Sequence, residues 1–115
     1  MNLKQGANGI RAELGNLQYE MRAAYSSYGK RMRYLGGVPE ITSGREGSHG
    51  DSSYHYVGYA LDFSIEGLSL SDQRLLITNM GDDLGELYDI VLESDHVHVE
   101  FDVARAFRRG YKKEF

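Results

Sequence analysis

Residues 96 to 101 read His-Val-His-Val-Glu-Phe, polar and apolar in strict alternation. A period of two is the period of a β-strand, whose side chains point to opposite faces in turn. Val97, Val99 and Phe101 therefore face a core, while His96, His98 and Glu100 share the other face. Residues 60 to 65 alternate in the same way. Leu61, Phe63 and Ile65 form the apolar set; Ala60, Asp62 and Ser64 oppose it. This is a half-buried strand with its carboxylate on the wet face. If the two strands are neighbours, Asp62 and the His96/His98 face meet over one concave surface.

The remaining segments give these strands a setting. Residues 7–28 read as a helix, with Ile10, Leu14, Leu17, Met21, Ala24, Tyr25 and Tyr28 at helical spacing. Gly29 and Gly36-Gly37 punctuate, and Pro39 opens a short extended run over residues 40–43. Residues 44–53 are polar and glycine-rich, a loop by composition. A second helix starts at a serine cap, Ser69 or Ser71, and reaches about residue 84, with Gly81 or Gly85 marking its end. Residues 87–92 form a strand that pairs with residues 97–101 as an antiparallel hairpin. Residues 103–115 suit a short helix. The predicted class is α+β: a small antiparallel sheet with a long N-terminal helix and a second helix packed on it, and a metal site on the sheet face.

At 115 residues the chain has room for one core, so residues 1–115 are taken as one catalytic domain. No apolar run approaches the roughly 18–20 residues that a membrane span needs. Residues 1–13 lack the apolar stretch of a secretory signal. Synthesis in the cytoplasm, with release by another route, is the corresponding expectation. There are no cysteines, which excludes disulfides and thiolate metal ligands. A net charge of −4 argues against general nucleic-acid binding. Arg105, Arg108, Arg109, Lys112 and Lys113 crowd the C-terminus; such a run is a solvated face or tail, or else a contact for an anionic surface.

The composition holds four histidines. His55, His96 and His98 stand in two stretches that also carry Asp62 and Asp95; His49 lies in the loop before them. Imidazole nitrogen and carboxylate oxygen are ligands that a zinc ion takes. His55 sits at the loop end before the Asp62 strand, where Gly58 and Ala60 leave room for close approach. Three protein ligands with a fourth position open distinguish a catalytic zinc from a structural one. A hydrolytic centre needs a base, and two carboxylates compete for that role. Glu100 lies on the ligand face. Asp95 can serve only if it stands at the strand start, where the chain turns. A donor for a developing oxyanion is also required, and Arg45 and His96 are the candidates.

These residues carry a family resemblance. Thr42-Ser43-Gly44-Arg45, then Ser53-Tyr54-His55 through Gly58, Ala60 and Asp62, then Asp95-His96-Val97-His98-Val99, resemble the zinc D-alanyl-D-alanine carboxypeptidases and L-alanyl-D-glutamate endopeptidases. This is a peptidoglycan-cleaving family that includes phage endolysins. The likeness covers about residues 40–101, in order. Arg45 follows Ser43-Gly44 directly, one residue earlier than in the commonest pattern. The resemblance implies that His55, Asp62 and His98 bind Zn2+ and that Asp95, rather than Glu100, is the general base. It implies that His96 and Arg45 steady the substrate or the transition state. Ser53 and Tyr54, beside the first ligand, are expected to touch substrate. Tyr54, Tyr56 and Tyr59 line a substrate groove or pack.

The function so implied is a zinc metallopeptidase that hydrolyses an amide bond in peptidoglycan stem peptides. An L-alanyl-D-glutamate endopeptidase of the phage lysis or virion-associated type is the leading form. Such a protein acts as a monomer on the cell wall, without a nucleic-acid partner or a membrane span. Two alternatives stay open. One is a D-Ala-D-Ala carboxypeptidase or dipeptidase. The other is a zinc-bearing binding module without turnover, as in the hedgehog signalling domain.

Overall fold

A computed structural model of the chain describes residues 2–3, 19–43 and 59–111. In order the elements are β1 (Asn2–Leu3), α1 (Glu20–Tyr34), β2 (Glu40–Ser43), β3 (Ala60–Ser64), α2 (Leu70–Leu84), β4 (Tyr88–Leu92), β5 (His96–Phe101) and α3 (Val103–Arg108). They form an α+β fold around one sheet of order β1-β2-β3-β5-β4. Pairing is antiparallel from β2 through β3 and β5 to β4; only the two-residue β1 lies parallel to its neighbour. Among the described residues, no helix is long and apolar enough to cross a membrane.

The alternation in the sequence sorts the sheet into two faces. Ile41, Leu61, Phe63, Val97, Val99 and Phe101 are buried on one face, against Met21, Ala24, Tyr28 and Met32 of α1 and Leu76 and Met80 of α2. Removing this much apolar surface from water is the main favourable term in folding. The expected split of β3 holds for Leu61, Phe63 and Asp62 but not for Ala60 and Ser64, which are buried as well. β3 is an interior strand, with β2 on one side and β5 on the other. Ser64 satisfies its hydroxyl locally by accepting from the Glu66 N–H at 3.1 Å, so it needs no water.

The first helix differs from its predicted extent. It runs on through Gly29, which is buried inside it, and ends at Tyr34 rather than near residue 28. Met32 supplies one more turn of the buried stripe, and that packing outweighs the roughly 1 kcal/mol a helical glycine costs. The stop comes at Gly36, whose φ of +80° suits a residue without Cβ. Its N–H bonds the Arg33 carbonyl and the Gly37 N–H bonds that of Met32, both at 3.0 Å, which satisfies the last carbonyls of the helix. The predicted helical residues Ile10, Leu14 and Leu17 lie outside the described residues. α2 starts at the serine cap: the Ser69 hydroxyl accepts from the Asp72 N–H at 3.2 Å. Gly81 is passed over, and Gly85 ends the helix with φ +79°. Leu75 of α2 is exposed, while Leu76 beside it is buried.

The two helices are clasped at their outer ends. Arg31 donates to Asp83 through Nε at 2.9 Å and Nη2 at 2.6 Å, and the Ser27 hydroxyl adds a bond of 2.8 Å. The two-pronged Arg31 contact holds the Asp83 carboxyl well below the usual carboxylate range, with burial opposing it and Ser27 assisting. A carboxyl whose folded pKa is depressed contributes stability above its unfolded pKa of about 3.9, and that contribution is lost as the pH falls through the folded value. Asp83→Asn is therefore expected to melt earlier than the parent at pH 7. The gap narrows as both are taken below about pH 4, in thermal melts followed by circular dichroism. A gap that is constant with pH would show that the clasp does not act through ionised Asp83.

The basic C-terminal run is in part structural. Arg105 reaches Asp89 and Asp102, each at 3.2 Å, and the Glu86 carbonyl; Arg109 pairs with Glu86. These cations tie α3 to the turn before β4. Lys112 and Lys113 lie outside the described residues.

Candidate active site

The pairing of β3 with β5 sets Asp62 directly opposite His98, Ser64 opposite His96 and Ala60 opposite Glu100. Two polar rows from different parts of the chain thus meet side by side on the face away from the core. The contact is direct: Asp62 Oδ1 lies 2.8 Å from His98 Nδ1 and 3.8 Å from His96 Nε2. The other nitrogen of His98, Nε2, lies 3.0 Å from Glu100 Oε1. Asp62 keeps only 13% of its side-chain surface exposed, so this contact is partly shielded from water.

Charge follows geometry. The hydrogen bond to Asp62 is the chief cause raising the His98 pKa above its ordinary value; burial opposes it, and the bond to Glu100 adds to the rise. Two carboxylates around one imidazole make a place that favours positive charge. Carboxylate and imidazole are also the donor types a zinc ion takes, so Asp62 and His98 fit the metal that the resemblance implies. The expected third ligand, His55, lies outside the described residues. Among the described residues, no three of His, Asp and Glu are gathered as a ligand set around one point.

Asp95 stands at the bend before β5, the position that a role beside the histidines requires. It is 85% exposed, and its Oδ1 lies 2.7 Å from His96 Nδ1. That hydrogen bond is the main reason its carboxyl is held below the ordinary range. The bend lets an acid three residues before His98 reach the histidine face, although an ideal strand would turn it away. An open cleft of about 600 Å³ adjoins this pair, running past Thr42, Glu66, Leu68, Gln73 and Ser94. Sequence reasoning passed over that wall, because Glu66, Leu68 and Gln73 sit in a turn and an early helix with no catalytic pattern. Opposite Asp62 on its other side, the β2–β3 register shifts between Ile41 and Ser43. Such bulges re-aim a strand beside functional sites.

The structure thus brings together Asp62, His96, His98, Asp95 and Glu100. Arg45, Ser53, Tyr54, Tyr56 and His49 lie outside the described residues. Tyr59 packs: it is buried and stacks on Phe101 at 5.8 Å between ring centres. No family model matches the chain, and no curated protein and no solved structure is significantly similar to it.

Proposed function

We propose that the chain is a zinc-dependent peptidase that cleaves peptidoglycan stem peptides, at the L-alanyl-D-glutamate bond. The observation that carries this reading is the direct opposition of Asp62 and His98 across paired strands, with Asp95–His96 alongside at the mouth of a cleft. Asp62, His98 and, by resemblance, His55 would hold the zinc. A zinc ion so held supplies a Lewis acid for the scissile carbonyl and activates water at neutral pH. A phage lysis or virion-associated setting belongs to the same reading.

The chain's own residues would do the rest. Asp95 is ionised at neutral pH and open to the cleft, so it can take a proton and pass it to the leaving amine. Its bond to His96 holds its basicity down, and giving up that bond to a bound substrate would restore it. His96 would then be free to donate toward oxyanion or substrate. Arg45, Ser53 and Tyr54 would hold the peptide from the segment before His55.

Asp95→Asn is expected to keep zinc and to lose turnover by on the order of 10²- to 10⁴-fold, the usual worth of a positioned acid–base group. Metal content by mass spectrometry and hydrolysis rate would be measured on one preparation. Persistence of full activity would move the base to another group.

The substrate assignment is tested by mass spectrometry of muropeptides released from purified sacculi. Fragments that begin at D-glutamate support the endopeptidase. Loss of terminal D-alanine alone makes the protein a carboxypeptidase. No new fragment from zinc-loaded protein would refute wall hydrolysis and favour a binding module.

A further inference from the structure

We propose that Val91 is a specificity residue: it is the apolar contact for the alanyl methyl group on the amino side of the cleaved bond. The proposal rests on the peptidase reading above and deepens it by naming what holds one side of that bond. Strand register places the residue. Val91 of β4 stands opposite His98 of β5, and His98 stands opposite Asp62 of β3. Residues directly opposed on antiparallel strands have Cβ atoms about 4.5–5.5 Å apart. His98 is therefore flanked by Asp62 on one side and by Val91 on the other.

Alternation along β4 assigns the face. Tyr88, Ile90 and Leu92 pack against the core, so Asp89 and Val91 turn to the side of His98. Val91 is 44% exposed, and among the described residues it is the one exposed large apolar side chain that stands in a strand. It adds little to the interior, so its apolar surface is open to a bound molecule. Its neighbours narrow what that molecule can offer. Glu100 lies one row along the same face, opposite Asp89, and Arg105 offsets Asp89 at 3.2 Å. Glu93, whose N–H bonds the His96 carbonyl at 2.8 Å, continues the face on the other side of Val91. A glutamyl carboxylate set over Val91 would meet the like charges of Glu93 and Glu100. The alanyl side of the bond brings a methyl group instead, which the isopropyl group of Val91 covers from water.

The test compares two synthetic stem peptides as substrates of the zinc-loaded protein, one with L-alanine before D-glutamate and one with glycine there. One methyl group in apolar contact is worth about 4- to 10-fold in kcat/KM. The parent is expected to favour the alanine peptide by that factor. Val91→Ser should bring the ratio close to one by raising KM for the alanine peptide. Val91→Thr, which keeps the branched shape that suits a strand, replaces it if thermal melts show the serine variant unfolded. Val91→Ile should keep the preference, and zinc affinity, read by chelator competition, should be unchanged in all three. A folded Val91→Ser or Val91→Thr protein with the parental ratio would overturn the proposal alone. So would an equal loss on both peptides, which marks a structural role, or a parent that does not prefer alanine. A parent that takes up zinc but cuts neither peptide at this bond would overturn the proposal together with the endopeptidase reading, and that result is visible before any variant is made.

Discussion

His98→Ala is expected to lose zinc and, with it, all hydrolysis above background. The reasoning is one of shares. A structural zinc site is worth roughly 10–16 kcal/mol over four ligands, so one ligand carries about 2.5–4 kcal/mol, or about two to three powers of ten in affinity. A three-ligand site has less in reserve. Loss of His98 also removes the 2.8 Å contact of Asp62, whose side chain is only 13% exposed. Asp62→Ala should act in the same direction, and Asp62→Asn, which keeps the shape, should still weaken zinc sharply because the ligand charge is gone. Titration with zinc under chelator competition, paired with muropeptide release, reads both consequences. Hydrolysis by a zinc-free His98→Ala protein at the parental rate would sink the metal-centred reading. The fold should persist, because His98 lies on the face away from the core.

Tyr28→Ala is expected to produce the largest loss of stability. Tyr28 is fully buried, and its ring lies against Phe63 with centres 4.2 Å apart and planes 17° from parallel. Its hydroxyl donates to the Ser64 carbonyl at 2.6 Å and accepts from the Glu40 N–H at 3.1 Å. One side chain from α1 therefore ties the end of β3 to the start of β2. Burial pushes the phenol up to about 12, so the hydroxyl stays neutral and able to donate throughout the useful pH range. Cutting a buried aromatic to alanine costs about 3–5 kcal/mol. Domains of this size are held by about 5–15 kcal/mol in all, so the variant should sit near the edge of folding at 37 °C. Tyr28→Phe separates the two contributions: it keeps the stack and loses the hydroxyl bonds, for about 1–3 kcal/mol. Urea denaturation of the pair would show it, and a Tyr28→Phe loss as large as that of Tyr28→Ala would mean that packing on Phe63 contributes little.

What the sequence disclosed follows from which interactions are local. The alternation at 96–101 and around Asp62 is a property of neighbouring residues, so β3, β5 and the polar face they build were legible from spacing alone. The serine cap of α2 and the β4–β5 hairpin were legible for the same reason. Gly29 misled because propensity is weak beside the burial of Met32 one turn later. The Arg31–Asp83 clasp joins residues far apart in the chain, and nothing at either position marks the other. The same holds for Tyr28, read only as one member of an apolar stripe, although its hydroxyl bridges two strands. Glu100 was placed on the face it shares with His98, and its contact with His98 Nε2 at 3.0 Å could be read only from the structure. The segment that contains Arg45 and His55 lies outside the described residues, so that half of the candidate site stands on the sequence resemblance.

The alternation in β5 has one more consequence. The same six residues supply Val97, Val99 and Phe101 to the interior and His96, His98 and Glu100 to the site. A slip of one residue against β3 would reverse every side chain, sending the imidazoles inward and the valines out. No partly shifted pairing can keep one set and lose the other. Folding therefore proofreads the site: a chain that has closed its interior correctly has already placed His98 across from Asp62.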